Sequence, residues 1–239
     1  MMKITLHKAD TRGVADHGWL NSHHTFSFAG YSNPDRMGFG ALRVINDDIV
    51  QPNMGFGTHP HENMEIISIP NIGELRHQDS MGNAQHIKAG EVQIMSAGTG
   101  ITHSEYNGSD VDPVNFLQIW VLPKKQDIEP RYGQQLFSCD DRKNEFQEVV
   151  SPDKGSNSGA IWINQDVWFS QGDFDAGYTG SYSIKRPGNG VYFFLIDGAV
   201  TVAGVHLGRR DGIGIEDTDS VDFAATEDCQ LLVMDVPMQ

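Results

Sequence analysis

The sequence predicts an all-β protein, and three features of the chain point to that fold class. Short apolar or alternating stretches recur along the 239 residues, each bounded by turn-forming residues. The 26 glycines and 10 prolines favour turns over long helices. No segment has the apolar spacing of a long helix. Many short strands separated by turns are typical of β-barrels and β-sandwiches.

The expected strands fall into two groups along the chain. The first group is expected at residues 24–28, 42–45, 64–69, 92–95 and 116–121. A polar stretch that contains Pro130, residues 124–135, is interpreted as a linker. The second group is expected at residues 160–163, 182–184, 191–196, 199–202 and 231–236. We therefore predict two domains, residues 1–125 and residues 126–239, the second of which begins with the linker.

A faint internal repeat relates the two halves of the chain. Residues 65–69, 73–77 and 87–92 form a strand, a glycine-led strand and a glycine-containing turn into a third strand. Residues 192–196, 198–202 and 207–212 follow the same order. A duplicated barrel would produce this pattern. Only the first copy contains a His-x-His triplet, so we expect one catalytic barrel and one supporting barrel.

Charge and apolar patterning exclude several classes of protein. The formal net charge is −15, which opposes nucleic-acid binding because that binding depends on phosphate neutralisation by lysine and arginine. No segment approaches the roughly 20 apolar residues that span a bilayer, and the N-terminus lacks the pattern of a signal peptide. Cys139 and Cys229 lie far apart and lack metal-ligand spacing. We expect a cytoplasmic protein with two reduced thiols and no membrane association.

Two polar pairs in the first half are the main functional signal. His59 and His61 flank Pro60, and His103 and Glu105 flank Ser104. Residues i and i+2 of a strand point to the same side, so each pair presents two metal-ligating groups to one face of a sheet. Three imidazoles and one carboxylate would leave coordination positions open, as catalytic metal sites do.

An isolated His-x-His is usually accidental, and the distribution of histidines argues against that here. Seven of the ten histidines lie between His59 and His103 or in the pair His23-His24. A second carboxylate, Glu65, follows His61 by four residues and is also expected on the histidine face. On spacing alone, either Glu65 or Glu105 supplies the carboxylate ligand.

The residues that carry these signals also resemble a known family. The runs 59–65 and 90–107 resemble the two motifs of the cupins, although Ser96 stands where many cupins place a proline. More specifically, residues 25–31, 55–65, 77–83, 97–105 and 122–125 resemble the pirin family. The resemblance implies two cupin-type β-barrels (a bicupin) and one metal, in the N-terminal barrel.

The resemblance also implies a ligand set. It assigns the metal to His59, His61, His103 and Glu105, and leaves Glu65 as a residue that supports the ligands. The family metal is typically iron, so Fe(II) is expected, with Zn, Cu, Ni or Mn as alternatives.

Pirin-like proteins include members with quercetin 2,3-dioxygenase activity, which implies a small aromatic substrate and O2. Glu105 is then expected to be catalytic, as the base that takes the 3-hydroxyl proton of a flavonol. The aromatic candidates for substrate binding are Phe28, Phe56 and Trp120. Two alternatives remain open: a non-enzymatic, metal-containing regulator that acts through a protein partner, and a cupin isomerase that needs no oxygen.

Overall fold

The computed structural model describes residues 2–155 and 159–238. Regular structure in these ranges is almost entirely β-strand. The helical segments of the described chain are two short 3-10 turns, Ala9–Thr11 and Cys139–Arg142. The all-β fold class predicted from the sequence is therefore confirmed. None of the helical segments in the described ranges is long and apolar enough to cross a membrane.

Twelve strands precede residue 140. They are β1 (Lys3–His7), β2 (Gly13–Asp16), β3 (Leu20–His24), β4 (Leu42–Val50), β5 (Gly55–His61), β6 (Glu65–Ile72), β7 (Glu74–Asp79), β8 (Ala84–Lys88), β9 (Glu91–Ser96), β10 (Ile101–Asn107), β11 (Val114–Val121) and β12 (Arg131–Leu136).

Ten strands follow in the described part of the second half. They are β13 (Gln147–Ser151), β14 (Ile161–Trp162), β15 (Trp168–Phe174), β16 (Thr179–Ser183), β17 (Asn189–Asp197), β18 (Val200–Val202), β19 (Val205–Leu207), β20 (Gly212–Glu216), β21 (Ser220–Ala225) and β22 (Cys229–Pro237).

Each half of the chain builds a two-sheet barrel. In the first barrel, a seven-stranded sheet in the order β12-β9-β6-β11-β4-β3-β2 packs on a four-stranded sheet in the order β5-β10-β7-β8. The second barrel repeats this plan, with sheets in the orders β1-β20-β17-β22-β15-β13-β14 and β16-β21-β18-β19. The repeated seven-plus-four arrangement agrees with the duplication expected from the internal repeat.

The two large sheets also pack against each other, which explains why some strands are continuously apolar. In β17, Phe193 and Leu195 belong to the core inside the second barrel, whereas Tyr192, Phe194 and Ile196 belong to the core shared with the first barrel. A strand that is buried on both faces loses the polar alternation of a half-exposed strand. The run of apolar residues at 191–196 therefore marks the interface between the barrels.

The interiors of the two barrels differ in chemistry. The second barrel is filled by aromatic and aliphatic side chains such as Phe193, Phe223 and Val233. The histidine of the second half, His206, is exposed. In the first barrel the apolar interior is divided into two smaller clusters, and the remaining interior holds buried polar groups, among them His103 and Glu105.

Two strands cross between the halves. β1 pairs with β20 of the second barrel, and β12 pairs with β9 of the first barrel. The linker prediction for residues 124–135 is therefore wrong in its second part, where Arg131 to Gln135 lie in β12. The division after residue 125 stays a prediction about folding units, since each half contributes a strand to the other barrel.

Most predicted strands are confirmed, and the expected strand at residues 24–28 is corrected. β3 ends at His24, and Phe28 makes only an isolated bridge with Tyr31. The backbone of Thr25 still bonds to Ile45, but Ser27 bonds to Arg36, so a loop replaces the strand ladder. The alternation of polar and aromatic residues there reflects a buried loop, not a strand.

Candidate metal centre and active site

Strand β10 lies between β5 and β7 in the four-stranded sheet, at the centre of the predicted site. His103 on β10 pairs with His59 on β5, and Glu105 pairs with His77 on β7. A register shift between His103 and Glu105 interrupts the ladder with β5. Alternate residues of β10 are buried, including His103 and Glu105, as the i, i+2 rule predicts. The strand pairing thus brings both sequence motifs to one interior face.

The three predicted histidine ligands meet in space. The ring centroids are 4.8 Å apart for His59 and His61, 4.5 Å for His59 and His103, and 4.9 Å for His61 and His103. One ligand nitrogen from each ring lies within 4.8 Å of the others. This is the spacing of imidazoles around a single cation.

Hydrogen bonding and burial prepare the imidazoles for metal binding. His59 Nδ1 lies 2.8 Å from the carbonyl oxygen of Gly57, which can only accept, so Nδ1 carries the proton and Nε2 keeps its lone pair. His59 Nε2 lies 3.1 Å from His103 Nε2. Burial, reinforced by the neighbouring imidazoles, lowers the pKa of His61 to about 4 and that of His103 to about 3. At neutral pH both rings are therefore neutral, the form that ligates metal.

Glu105 is buried beside the histidines and is fixed by two donors. The Ser68 hydroxyl donates to Oε1 at 3.0 Å, and the Gln118 amide donates to Oε2 at 2.7 Å. Its carboxylate lies within 4.8 Å of ligand nitrogens of His103 and His77, but it does not complete such a group with His59 and His61. The structure therefore brings Glu105 to the edge of the three-histidine cluster, and its role as fourth ligand stays a prediction.

Glycine at position 55 allows β5 to approach β10 closely. A Cβ added there would lie 2.5 Å from the Cα of Tyr106 and even nearer to the carbonyl oxygen of Glu105. Real Cβ contacts of that length do not occur, so a side chain would push β5 away from β10. Gly55 thus helps to hold His59 against His103.

Glu65 lies apart from the histidine cluster. Residues between β5 and β6 break the strand alternation, so the spacing of four from His61 does not place the two side chains on one face. Glu65 Oε2 accepts hydrogen bonds from the Ser96 hydroxyl at 2.7 Å and from the backbone N–H of Asn164 at 3.3 Å. These contacts link the barrels and include none of the predicted ligands, so a supporting role at the metal stays a prediction without a contact behind it.

Two residues at the site were not predicted from the sequence to belong to it, and His77 was expected to be structural. His77 is fully buried, its Nε2 lies 3.1 Å from Asp79 Oδ2, and its Nδ1 has no hydrogen-bond partner among the residues described. Asp48 lines the adjoining cavity and accepts a hydrogen bond from the Ser22 hydroxyl. Burial raises the pKa of Asp48 to about 7. The resemblance of residues 77–83 to the family did not assign a role to His77, and the strand pairing that brings His77 and Asp48 to the site is not a local property of the sequence.

A cavity of about 280 Å³ opens onto the cluster. All three aromatic residues predicted for substrate binding line it: Phe28, Phe56 and Trp120. Trp120 meets the His61 ring edge-on at 4.9 Å, and Phe28 meets Trp120 edge-on at 5.3 Å. The cavity therefore has aromatic walls next to predicted metal ligands, which suits a flat ring.

The donor set fits a divalent transition metal. Two of the imidazoles are kept neutral by burial, and His59 directs the lone pair of Nε2 toward His103. Nitrogen ligands with one carboxylate oxygen suit Fe, Ni, Cu, Zn and Mn ions. The aromatic cavity reaches the cluster from one side, so a metal held there would keep a position open to a small molecule.

Two β-barrels with an imidazole cluster inside the first define the class of the protein as a bicupin. The chain belongs to the pirin family: residues 6–121 match the family described as Pirin. Residues 148–236 match the family described as Quercetinase C-terminal cupin domain.

Relatives from Escherichia coli match almost the full length of the chain. The chain is 44% identical over 234 residues to a protein of strain K12 named quercetin 2,3-dioxygenase, covering 98% of this chain and 99% of the relative. The crystal structure of YhhW matches with a TM-score of 0.94 and 43% identity, covering 99% of each chain. A structure of bacterial pirin YhhW in complex with nickel(II) matches with a TM-score of 0.93 and 42% identity, covering 99% of this chain and 100% of that one.

Proposed function

We propose that this protein is a metal-dependent dioxygenase that acts on a flavonol such as quercetin. The observation that carries the proposal is the aromatic cavity that ends at the three-histidine cluster and Glu105. The names of the E. coli relatives point in the same direction. We also propose Fe(II) as the bound metal and His59, His61, His103 and Glu105 as its ligands.

The protein residues have three tasks in this reaction. When bound, the metal would supply Lewis-acidic and redox-active chemistry for a reaction with O2. The faces and edges of Phe28, Phe56 and Trp120 hold the flavonol rings so that the 3-hydroxyl points toward the cluster. Glu105 accepts the proton of that hydroxyl, and the donors Ser68 and Gln118 keep its carboxylate in position.

Asp48 is a second carboxyl group on the cavity wall. Because burial raises its pKa to about 7, a large fraction is protonated at neutral pH. A protonated carboxyl donates a hydrogen bond, so Asp48 can hold a substrate oxygen at the cavity wall.

Oxygen uptake with quercetin tests this proposal. Metal-replete protein should consume O2 in step with quercetin. Quercetin should not be consumed under anaerobic conditions, and the His61→Ala variant should consume neither quercetin nor O2. Quercetin loss without oxygen uptake would instead indicate an isomerase. The absence of turnover in protein with full metal occupancy would refute the enzymatic proposal and favour a regulator that acts through a protein partner. Metal analysis of freshly purified protein would test Fe(II) against the other ions.

We further propose that the protein works in the cytoplasm. Cys139 is exposed and Cys229 is buried, and both thiols are free. Exposed free thiols are typical of reducing compartments.

A further inference from the structure

A second cleft lies on the other side of strands β3 and β4 from the aromatic cavity. On these strands Ser22, His24 and Asp48 face the aromatic cavity, whereas His23 and Asp47 face this cleft. The cleft has a volume of about 390 Å³ and also receives side chains from the second barrel. It therefore lies at the junction of the two barrels and is separate from the predicted metal site.

Cationic side chains outnumber anionic ones in the cleft. It is lined by three guanidinium groups, those of Arg12, Arg209 and Arg210, and by two carboxylates, those of Asp10 and Asp47. His23 adds no charge at neutral pH, because burial and the nearby Arg12 lower its pKa. Arg209 is paired with Asp197 at 3.2 Å, so the guanidinium groups that lack a carboxylate of their own are those of Arg12 and Arg210.

Two of these guanidinium groups are buried and share one carboxylate. The side chains of Arg12 and Arg210 are 4% and 8% exposed. Their closest nitrogens lie 3.6 Å and 3.4 Å from Asp47 Oδ2, which is too long for strong hydrogen bonds. Asp47 Oδ1 already accepts from the Asn115 amide at 2.8 Å. Asp47 therefore compensates the two charges only partly.

Several donors of the buried pair lack an acceptor. Arg12 Nη1, Arg210 Nε and Arg210 Nη1 have no hydrogen-bond partner in the described part of the chain. Asp211, which follows Arg210 in the chain, already accepts hydrogen bonds from Lys8 and from the backbone N–H of Ala9, the latter at 2.7 Å. Buried charged donors without acceptors are costly, so both side chains have hydrogen bonds to gain from an additional anion.

We propose that this cleft binds a small oxyanion, a phosphate or carboxylate group, between Arg12 and Arg210. Planar guanidinium groups bind such oxyanions through paired N–H···O bonds. Burial lowers the pKa of both guanidinium groups, and a bound anion would offset that cost more fully than Asp47 does alone. The exposed Arg209, which lies 3.2 Å from Asp197, marks the solvent-facing rim of the cleft.

Inorganic phosphate is the probe for this site. Metal-replete protein would be titrated by calorimetry and thermal unfolding at constant ionic strength, with chloride as the reference anion. We expect saturable binding of phosphate and a rise in Tm with its concentration. Arg12→Gln and Arg210→Gln should each weaken binding about tenfold or more, the usual scale for losing a charged hydrogen-bond donor. Asp47→Asn should strengthen binding, since it removes the competing carboxylate.

Matched variants distinguish binding in this cleft from binding elsewhere on the protein. Arg186→Gln, at an exposed arginine outside the cleft, should leave phosphate affinity unchanged. His61→Ala should also bind phosphate normally, whereas binding lost with His61→Ala would place the anion at the metal site and overturn the proposal. Absence of saturable binding, or equal affinity in wild type and both arginine variants, would also overturn it. If the arginine variants do not fold, a phosphate affinity that is unchanged or weaker in Asp47→Asn than in wild type would likewise overturn the proposal.

Discussion

Replacing Glu105 with glutamine separates the two roles predicted for that carboxylate. Glutamine keeps an oxygen that can ligate a metal but is no longer an anionic base. The present side chain accepts from Ser68 Oγ at 3.0 Å and from Gln118 Nε2 at 2.7 Å. In Glu105→Gln one of these acceptors becomes an NH2 group, so one hydrogen bond is lost unless a neighbour rearranges.

The network around Glu105 can rearrange, which bounds the cost to stability. Ser68 Oγ also lies 3.3 Å from Gln118 Oε1, so its hydroxyl has a second acceptor. The Gln118 amide can turn to present its oxygen to the new NH2 group. We therefore expect a loss of about 2 kcal/mol or less in unfolding free energy, the scale of one hydrogen bond to a charged group. The loss of the positioned base should lower quercetin turnover by about 10²-fold or more.

Glu65→Gln is the matched control for this prediction. Its carboxylate contacts Ser96 and Asn164 and none of the histidines, so its loss should lower turnover much less. Quercetin consumption would be measured for both variants at equal metal content, with thermal unfolding as a check of the fold. Near-normal activity in Glu105→Gln together with loss of activity in Glu65→Gln would refute the assignment of Glu105 and favour Glu65 as the functional carboxylate.

Three further predictions test the metal site, the second barrel and the shared core. His61→Ala should sharply reduce metal content while the far-ultraviolet circular dichroism stays unchanged; full metal occupancy would contradict the ligand assignment. Metal titration should give about one tight equivalent per chain, because the second barrel has an apolar interior; a second equivalent within residues 140–239 would refute this. Burial lowers the pKa of His7, bonded to Tyr192, to about 4. Between about pH 6.5 and 4 the unfolded state then binds more protons than the folded state. In denaturant titrations the free energy of unfolding of wild type should therefore fall by about 2 kcal/mol more than that of His7→Gln between pH 7 and pH 5. Equal decreases would show that His7 is not buried as a neutral ring.

Local sequence was sufficient for the features that depend on strand alternation. His59 with His61, and His103 with Glu105, each lie two residues apart on one strand, so their shared direction follows from backbone geometry alone. The all-β class could be predicted for the same reason, because short apolar runs and frequent turns are local properties. The resemblance of residues 20–135 to the pirin family then added the ligand set, which alternation could not choose.

Tertiary structure decided everything that depends on which strands become neighbours. The exchange of β1 and β12 between barrels arises from pairings with β20 and β9, each distant in sequence. His77 reaches the site because β7 pairs with β10. Glu65 lies outside the site because the irregular residues between β5 and β6 interrupt the alternation of side chains after His61.

The cleft between Arg12 and Arg210 shows most clearly the difference between what local sequence determines and what tertiary structure determines. Arg12 and Arg210 lie almost two hundred positions apart, and in the sequence each is typical of a surface residue. Only the packing of one barrel on the other buries both guanidinium groups against Asp47. The chain's sequence thus determined which groups face a common side within each strand. The long-range pairing of strands and barrels determined which of those groups meet, because contacts between distant segments are set by the free energy of the whole fold and not by local backbone geometry.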